Sequence, residues 1–174
     1  MGLDMYLNRK TYIGGKYDDT AKWTIEFKRR DRLISIDKKK IVYIEEEQAY
    51  RRKANQIHRW FVENVQDDED DCKQYYVPKE MLDKLVERCK KVLESLEGQI
   101  LVEKERPDKR HEWQIEKYSV YPNSEIAMEL LPPQEWLFFG SSDVDEYYVQ
   151  DLKDTIEQLK DISDDYDYYY DSSR

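Results

Sequence analysis

The chain has 174 residues, of which 39% are hydrophobic and 39% are charged. A chain of this length fits one domain and buries roughly 70% of the surface that its unfolded form exposes. Its two cysteines form no CxxC pair, which argues against a disulfide framework. No apolar stretch is long enough for a membrane span or a secretory signal. We therefore expect a soluble, intracellular protein without membrane contact.

The net charge of −10 is unevenly distributed along the chain. Residues 1–60 carry 15 basic and 9 acidic residues, a net +6, whereas residues 61–174 carry 14 basic and 30 acidic residues, a net −16. Duplex DNA binding requires a dominant basic surface that neutralises phosphates. The composition therefore disfavours duplex DNA as a partner, and the simplest interpretation is that the two regions partly neutralise each other.

The N-terminal part predicts a strand followed by a hairpin. Leu3, Met5 and Leu7 alternate with polar residues, which indicates a strand over 3–12, and the Gly14-Gly15 pair predicts the turn that ends it. A second alternation over residues 22–36 predicts a hairpin with a basic rim. Such a rim is usually solvated, and phosphate contact is the alternative.

A central helix is predicted over residues 45–65, because three glutamates favour its positive end and apolar residues follow at helical spacing. Its buried stripe comprises Tyr50, Ala54, Ile57, Phe61 and Val65. A different face carries basic and polar side chains, namely Arg51, Arg52, Asn55, His58 and Arg59. This face predicts either an anion site or a set of ion pairs with acidic segments.

The second half predicts two more helices and a hairpin. Residues 67–71 form an acidic loop, and an apolar stripe that includes Cys89 predicts a helix between Pro78 and Gly98. Residues 99–118 predict a hairpin, residues 123–131 an irregular or helical piece, and residues 137–139 a short strand. Ser142 and Asp145 resemble a capping pair before the last helix.

We expect a single α+β domain over residues 1–163. A small antiparallel sheet, built from the N-terminal and inserted strands, is covered by three main helices, and a β-hairpin is added to this core. Residues 164–174 have neither helical nor strand periodicity and predict a flexible, acidic, Tyr-rich tail.

Three stretches carry a family resemblance: MGLDMYL at the start, RRKANQIHRWFVENVQDDEDDC with YYVPKEMLDKL in the centre, and LLPPQEWLFFGSSDVDEYYVQDLKDTIEQL near the end. The chain resembles a family of small, uncharacterised proteins of bacterial viruses, prophages and bacterial genomes. The resemblance implies a mobile-element context, a shared α+β core and a recurrent polar set, but no activity. The matching polar positions are Asn55, His58, Arg59, Asn64, Gln66, Asp71, Cys72, Gly140, Ser141, Asp145, Glu146, Tyr147 and Tyr148. The hairpins at 22–37 and 99–118 depart from the family pattern and are suited to a partner-specific surface.

Catalytic and metal chemistry have little support in the sequence. Cys72 with His58 resembles a nucleophile and its base, but the acidic residues 67–71 oppose a thiolate. Adding Cys89 and His111 yields no close pair of zinc ligands. The acidic run lacks the glycine and the glutamate of a calcium loop. We therefore expect no catalytic residues, no metal and no cofactor.

Two functional hypotheses follow, and both assign the protein to the cytoplasm of a host cell. In the first, a non-enzymatic antagonist binds a host protein, such as a nuclease of a defence system, through acidic residues and the Tyr-rich tail. Its partner-binding residues are Asp67, Asp68, Glu69, Asp70 and Asp71.

In the second hypothesis, the protein sequesters or cleaves a small nucleotide signal. The residues that would bind the nucleotide are Arg52, Asn55, His58, Arg59, Tyr147 and Tyr148. A structural alternative is that His58 and Arg59 pair with the acids at 67–71 or with Asp145 and Glu146, and so hold the first and last helices together. A structural protein of a mobile element is a third possibility.

Overall fold

The computed structural model describes residues 2–13, 26–35, 40–107, 115–134 and 142–173. Within these ranges the chain is a small α+β domain with four helices, three of them substantial, and the predicted fold class is confirmed. The strands are β1 (Asp4–Tyr12), β2 (Lys28–Arg29), β3 (Arg32–Leu33), β4 (Tyr43–Arg52), β5 (Tyr75–Val77), β6 (Val102–Pro107), β7 (Ile115–Val120) and β8 (Asp167–Ser173). The helices are α1 (Asn55–Val65), α2 (Lys79–Leu96), α3 (Glu125–Leu130) and α4 (Glu146–Gln158).

The main sheet has the strand order β4-β1-β8-β5, and all neighbours are antiparallel. Its N-terminal strand β1 therefore lies in the middle, where Leu7 is opposite Ala49 on one side and Tyr170 on the other. The inserted strands form two separate hairpins, β2–β3 and β6–β7. The prediction that inserted strands join the main sheet is thus wrong. In each hairpin the two strands pair with each other, and only Val120 along them is buried, so they contribute little apolar surface to the core.

The predicted helix over residues 45–65 is wrong in its first half, because residues 43–52 form strand β4 and α1 begins only at Asn55. The left-handed backbone of Lys53, with φ 65°, separates the two elements. A β-bulge explains why the strand pattern is hidden, since the pairing with β1 shifts register between Leu7 and Asn8. Tyr50 consequently leaves the buried stripe and is 40% exposed.

The predicted flexible tail is also wrong. Residues 167–173 form β8, which lies between β1 and β5. Along this strand Tyr168, Tyr170 and Ser172 are buried, and the residues between them are more exposed. An acidic, serine-containing segment becomes an interior strand because it places a tyrosine at alternate inward positions.

The core lies between one face of the sheet and helices α1, α2 and α4. Met5, Leu7 and Tyr170 from the sheet meet Phe61 of α1 and Leu85 of α2 across a small internal space. The predicted helix between Pro78 and Gly98 is confirmed, and Gly98 adopts φ 72° just after it. Its fully buried stripe comprises Leu82, Leu85, Cys89 and Val92.

Burial raises the pKa of the Cys89 thiol to about 12, so this cysteine acts as a small core side chain rather than as a nucleophile.

Helix α4 begins at a cap that differs from the predicted one. Asp145 is the N-cap, and its carboxylate accepts a hydrogen bond of 2.9 Å from the main-chain N–H of Tyr148. The predicted pairing of Ser142 with Asp145 therefore assigned the cap three residues too early, although the helix itself is confirmed. An aspartate at the positive helix end also interacts favourably with the helix dipole.

Several predictions fall outside the described residues. These are the Gly14-Gly15 turn, the first strand of the predicted hairpin over 22–25, the short strand at 137–139, and the positions of His111, Gly140 and Ser141.

Candidate functional site

The outer face of the main sheet, opposite the helices, carries a cluster of tyrosines. Residues that are directly opposite each other in antiparallel strands project to the same face. Tyr6 is opposite Tyr50, and Tyr76 is opposite Tyr169. We call this surface the tyrosine face, and it comprises Tyr6, Tyr12, Tyr43, Tyr50, Tyr76 and Tyr169.

The tyrosine face is open to solvent in the part of the chain that the structure describes. Tyr12 is 52% exposed and Tyr76 is 53% exposed, Tyr43 and Tyr50 are about 40% exposed, and Tyr6 and Tyr169 are half-buried. Large aromatic side chains normally bury most of their surface within a fold. An accessible group of them on one rigid sheet is therefore a marker of an interaction surface.

The rings of this face contact each other rather than standing alone. Tyr6 and Tyr50 have ring centroids 5.4 Å apart, and the pairs Tyr12–Tyr43 and Tyr76–Tyr169 are each separated by 5.7 Å. A hydrogen bond of 3.3 Å between the hydroxyls of Tyr12 and Tyr169 joins the last two pairs. These contacts restrict the side-chain rotamers, so the surface is ordered before any partner binds.

Lys10 lies at the centre of the face and is only 9% exposed. Its Nζ is 4.1 Å from the ring centroid of Tyr169 and 4.9 Å from that of Tyr43, which is within range of a cation–π interaction. The same ammonium donates a hydrogen bond of 2.8 Å to Oε1 of Gln74. Lys10 thus connects β1, β4 and β8 to the segment before β5 and fixes the position of two rings.

Carboxylates outnumber cations among the outward-facing residues. The acidic members are Asp4, Glu45, Glu47, Asp167 and Asp171, and the basic members are Lys10 and Arg52. With five carboxylates against two cations, these outward-facing residues carry a net negative charge.

Two hydroxyls of the face stay protonated well above neutral pH. The Tyr50 hydroxyl donates a hydrogen bond of 2.6 Å to Asp4, which raises the pKa of Tyr50. The hydrogen bond with Tyr12, assisted by burial, raises the pKa of Tyr169 to about 12. Both side chains therefore offer neutral hydroxyl groups, which donate and accept hydrogen bonds.

The predicted partner-binding acids divide into an exposed and an engaged group. Asp67, Asp68 and Glu69 are exposed in the loop after α1, and the first two have left-handed backbone conformations. Asp70 contacts His58, whereas Asp71 pairs with Lys73, which lowers the pKa of the Asp71 carboxyl. The loop leads directly into β5, the strand that carries Tyr76 of the tyrosine face.

His58 is buried and bridges the loop after α1 and strand β8, which are far apart in the sequence. Its Nε2 lies 3.1 Å from Oδ2 of Asp70, and its Nδ1 lies 2.7 Å from the hydroxyl of Tyr170. The predicted pairing of His58 with the acids at 67–71 is therefore present. It does not hold the first and last helices together as predicted, because Asp70 follows α1 and Tyr170 lies on β8. Both ring nitrogens have partners other than Cys72, so His58 is not oriented as a base for that thiol.

The other predicted ligand-binding residues do not share one pocket wall. Asn55 is buried and donates a hydrogen bond of 3.1 Å to the main-chain oxygen of Gln134, and Arg59 pairs with Glu63 one turn further along α1. Arg52 lies on β4, 3.6 Å from Asp4 on the outer sheet face. In the described part of the chain, Arg59 does not pair with the acids at 67–71 or with Asp145 and Glu146, and this prediction is wrong for Arg59.

The two tyrosines predicted as stacking residues have opposite environments. Tyr147 is 80% exposed on the first turn of α4, whereas Tyr148 is buried and its hydroxyl donates a hydrogen bond of 2.7 Å to the main-chain oxygen of Leu131. Burial raises the pKa of Tyr148. Arg51, assigned to the basic helical face, instead lies on β4 and donates to Asp154 and to the main chain of α4.

Most residues of the tyrosine face are not among the site residues predicted from the sequence. One signal was available in β1. Tyr6, Lys10 and Tyr12 occupy its even-numbered positions, which project to the face away from Met5 and Leu7. The remaining members come from β4, β5 and β8, and only long-range pairing brings them to the same surface.

No protein family, curated protein or solved structure matches this chain. Among the residues that the structure describes, no helix is both long and apolar enough to cross a membrane. Within the same ranges, no group of three or more His, Cys, Asp or Glu side chains is arranged to hold a metal ion. The geometry of the sheet surface is therefore the basis for a functional proposal.

Proposed function

We propose that this protein is a non-enzymatic antagonist that binds a host protein through the tyrosine face. The observation that carries the proposal is the open, mutually ordered cluster of tyrosines on a rigid four-stranded sheet. Tyrosine is enriched in protein interfaces and in their energetic centres, because it buries a large area and retains a polar tip.

The ordering of the face supports tight binding. Association is opposed by the entropy of fixing mobile side chains, at roughly 0.5–1.5 kcal/mol for each flexible side chain. Tyrosine has two rotatable side-chain angles, and the rings here are already held by each other and by Lys10. A partner therefore meets a surface whose rotamers need little further ordering.

The charge of the surface indicates the chemistry of the partner. The carboxylates around the tyrosines and the exposed acids Asp67, Asp68 and Glu69 are complementary to a basic protein surface. Nucleases present such a surface, since their substrate groove must neutralise phosphates. Together with the resemblance to proteins of bacterial viruses, this supports a nuclease or another nucleic-acid-binding defence protein of the host as the partner.

The nucleotide hypothesis has less support from the side-chain contacts. Its proposed donors Asn55 and His58 are buried and form hydrogen bonds within the protein, and Arg59 is paired with Glu63. An anion would have to compete with these internal partners, which costs binding free energy.

The proposal is tested by comparing two sets of tyrosine substitutions. The triple variant Tyr12→Ala, Tyr76→Ala, Tyr169→Ala removes the centre of the face, and Tyr147→Ala is the control because Tyr147 is even more accessible but lies on α4. Each protein is used to capture partners from a host lysate, and the captured protein is then purified for calorimetry. We expect the triple variant to bind at least about 100-fold more weakly and the control to bind as the wild type does.

Two results would contradict the proposal. One is a triple variant that retains wild-type affinity and antagonism. The other is a purified protein that releases a nucleotide on denaturation, with Arg52→Glu, Arg59→Glu losing the cellular effect while the triple tyrosine variant retains it. The second result would favour the nucleotide hypothesis.

A further inference from the structure

Strand β4 forms an outer edge of the main sheet in the described part of the chain, with ten residues and only β1 as a neighbour. Such an edge presents main-chain N–H and C=O groups that can pair with another strand. One of its acceptors is satisfied by a side chain, since Gln158 Nε2 donates to the main-chain oxygen of Tyr50 over 3.2 Å. A further strand would therefore have to displace the Gln158 side chain at Tyr50, and it would pair with the other main-chain groups of β4 that point away from β1.

The β-bulge in β4 changes which residues share a face. Before the bulge, Glu45 and Glu47 are opposite Lys10 and Asn8, so they project to the outer face. After the bulge, Tyr50 and Arg52 also project outward. The odd-numbered residues before Gln48 and the even-numbered residues after it thus project to the same face. A regular strand does not allow this, because its side chains alternate between faces.

We propose that β4 pairs antiparallel with β4 of a second copy of this chain, about a two-fold axis between Gln48 and Ala49. In this register Glu45 is opposite Arg52 of the partner subunit, and the symmetry forms this pair twice. Because the bulge places both residues on the outer face, each pair connects side chains that project in the same direction.

The charge pattern favours a second copy over a strand of another kind. Edge strands that avoid association carry charges that repel a like edge. Here the carboxylates Glu45 to Glu47 occupy one half of the strand and Arg51 to Arg52 the other. Reversing the strand therefore places Glu45 and Glu46 opposite Arg52 and Arg51 of the partner subunit, whereas Glu47 is opposite Tyr50. On the inner face, Glu46 and Arg51 form close ion pairs with Arg9 and Asp154, at 3.0 and 2.8 Å. On the outer face, the Arg52 side chain is 3.6 Å from Asp4 but 61% exposed, so it remains accessible to Glu45 of the partner subunit.

The consequence is an eight-stranded sheet in which the two tyrosine faces form one continuous surface. This arrangement would let one dimer contact a symmetric partner, or two partners, with twice the accessible aromatic area. The inference is independent of the proposed function, because it concerns only the association of this chain with itself.

The test measures the molar mass of the full chain by light scattering and sedimentation. Protein concentrations of about 1–100 µM cover typical dissociation constants of such dimers. We expect a dimer for the wild type. Glu45→Arg and Arg52→Glu should each weaken it by about tenfold or more, because each creates like-charge pairs. Mixing these two variants in equal amounts should restore the dimer, since both cross-strand pairs then unite opposite charges. Glu87→Arg, an exposed charge reversal on α2, is the matched control and should leave the dimer unchanged.

Circular dichroism verifies folding of the variants, and both substituted side chains are exposed on the edge strand. A wild type that is monomeric throughout this range would overturn the inference. A dimer that tolerates both single variants, or a mixture that fails to regain the wild-type mass, would also overturn it.

Discussion

The two faces of the main sheet use the same residue type in different ways. Strand β8 shows the contrast within three residues, because Tyr168 and Tyr170 are 1% exposed against the helices whereas Tyr169 projects to the outer face. The ring of Tyr170 stacks on Phe61 with centroids 3.9 Å apart. Position relative to the pleat thus determines whether a tyrosine stabilises the core or is available to a partner.

The largest expected effect concerns the strand that carries both kinds of tyrosine. Deleting residues 167–173 removes one of the two neighbours of β1 and the only strand paired with β5 in the described sheet. We expect the truncated chain to lose cooperative unfolding and its dispersed amide NMR spectrum. A truncated protein with the wild-type melting temperature would instead indicate a dispensable tail.

Single substitutions sharpen the comparison between the faces. On the inner face, Tyr170→Ala should lower the free energy of unfolding by about 3–5 kcal/mol, since it removes the stacked ring and the bond to His58. Tyr170→Phe should cost about 1–3 kcal/mol, because His58 loses a buried partner. On the outer face, Tyr169→Ala should lower the free energy of unfolding by less than Tyr170→Ala does. Urea unfolding measures all three, and equal losses for Tyr169→Ala and Tyr170→Ala would remove the distinction.

Stability at alkaline pH depends on tyrosines of both faces, whose pKa values are raised by different causes. Burial raises the pKa of Tyr168 and Tyr170, whereas the hydrogen bond with Tyr12 is the main cause that raises the pKa of Tyr169 to about 12. A raised pKa means that the folded protein holds protons that the unfolded chain releases near pH 10. The stabilisation is therefore complete below about pH 10 and is lost as the pH rises toward 12.

We expect the melting temperature, measured from about pH 8 to about pH 11.5, to decline at the upper end of this range, above the usual tyrosine pKa. In an absorbance titration, Tyr12→Phe should move the pKa of Tyr169 toward its usual value and leave the inner tyrosines unchanged. An unchanged titration in this variant would show that the hydrogen bond does not control the pKa of Tyr169.

The smallest expected change in stability concerns Lys10. Lys10→Met keeps most of the aliphatic stem and removes the cation between the rings of Tyr43 and Tyr169. We expect a loss of about 0.5–2 kcal/mol of unfolding free energy and a weaker affinity for the partner, because the rings become less ordered. Lys91→Met, on the exposed face of α2, is the matched control. Equal affinities for the two variants would show that Lys10 does not organise the face.

Local signals in the sequence were sufficient for several elements. Alternation predicted β1, the stripe between Pro78 and Gly98 predicted α2, and hairpin alternation predicted β6 and β7. In β4, the bulge at Gln48 interrupts the alternation, and the preceding glutamates resemble a helix start. These two features together account for the wrong helix boundary.

Strand β8 and the tyrosine face depend on contacts between distant parts of the chain. The segment 167–173 has an acidic composition typical of a solvated tail, and its burial arises only from pairing with β1 and β5. Likewise, Tyr6 meets Tyr50, and Tyr12 meets Tyr169, through sheet order that no local window encodes. Register and sheet order therefore had to come from the structure.

The most direct test of the central claim is tyrosine nitration of the protein, alone and in complex with its captured host partner, followed by mass spectrometry. If the tyrosine face is the contact surface, the modification rates of Tyr12, Tyr43 and Tyr76 fall in the complex, while that of Tyr147 on α4 is unchanged. Protection of Tyr147 with unchanged modification of the three face tyrosines would contradict the account.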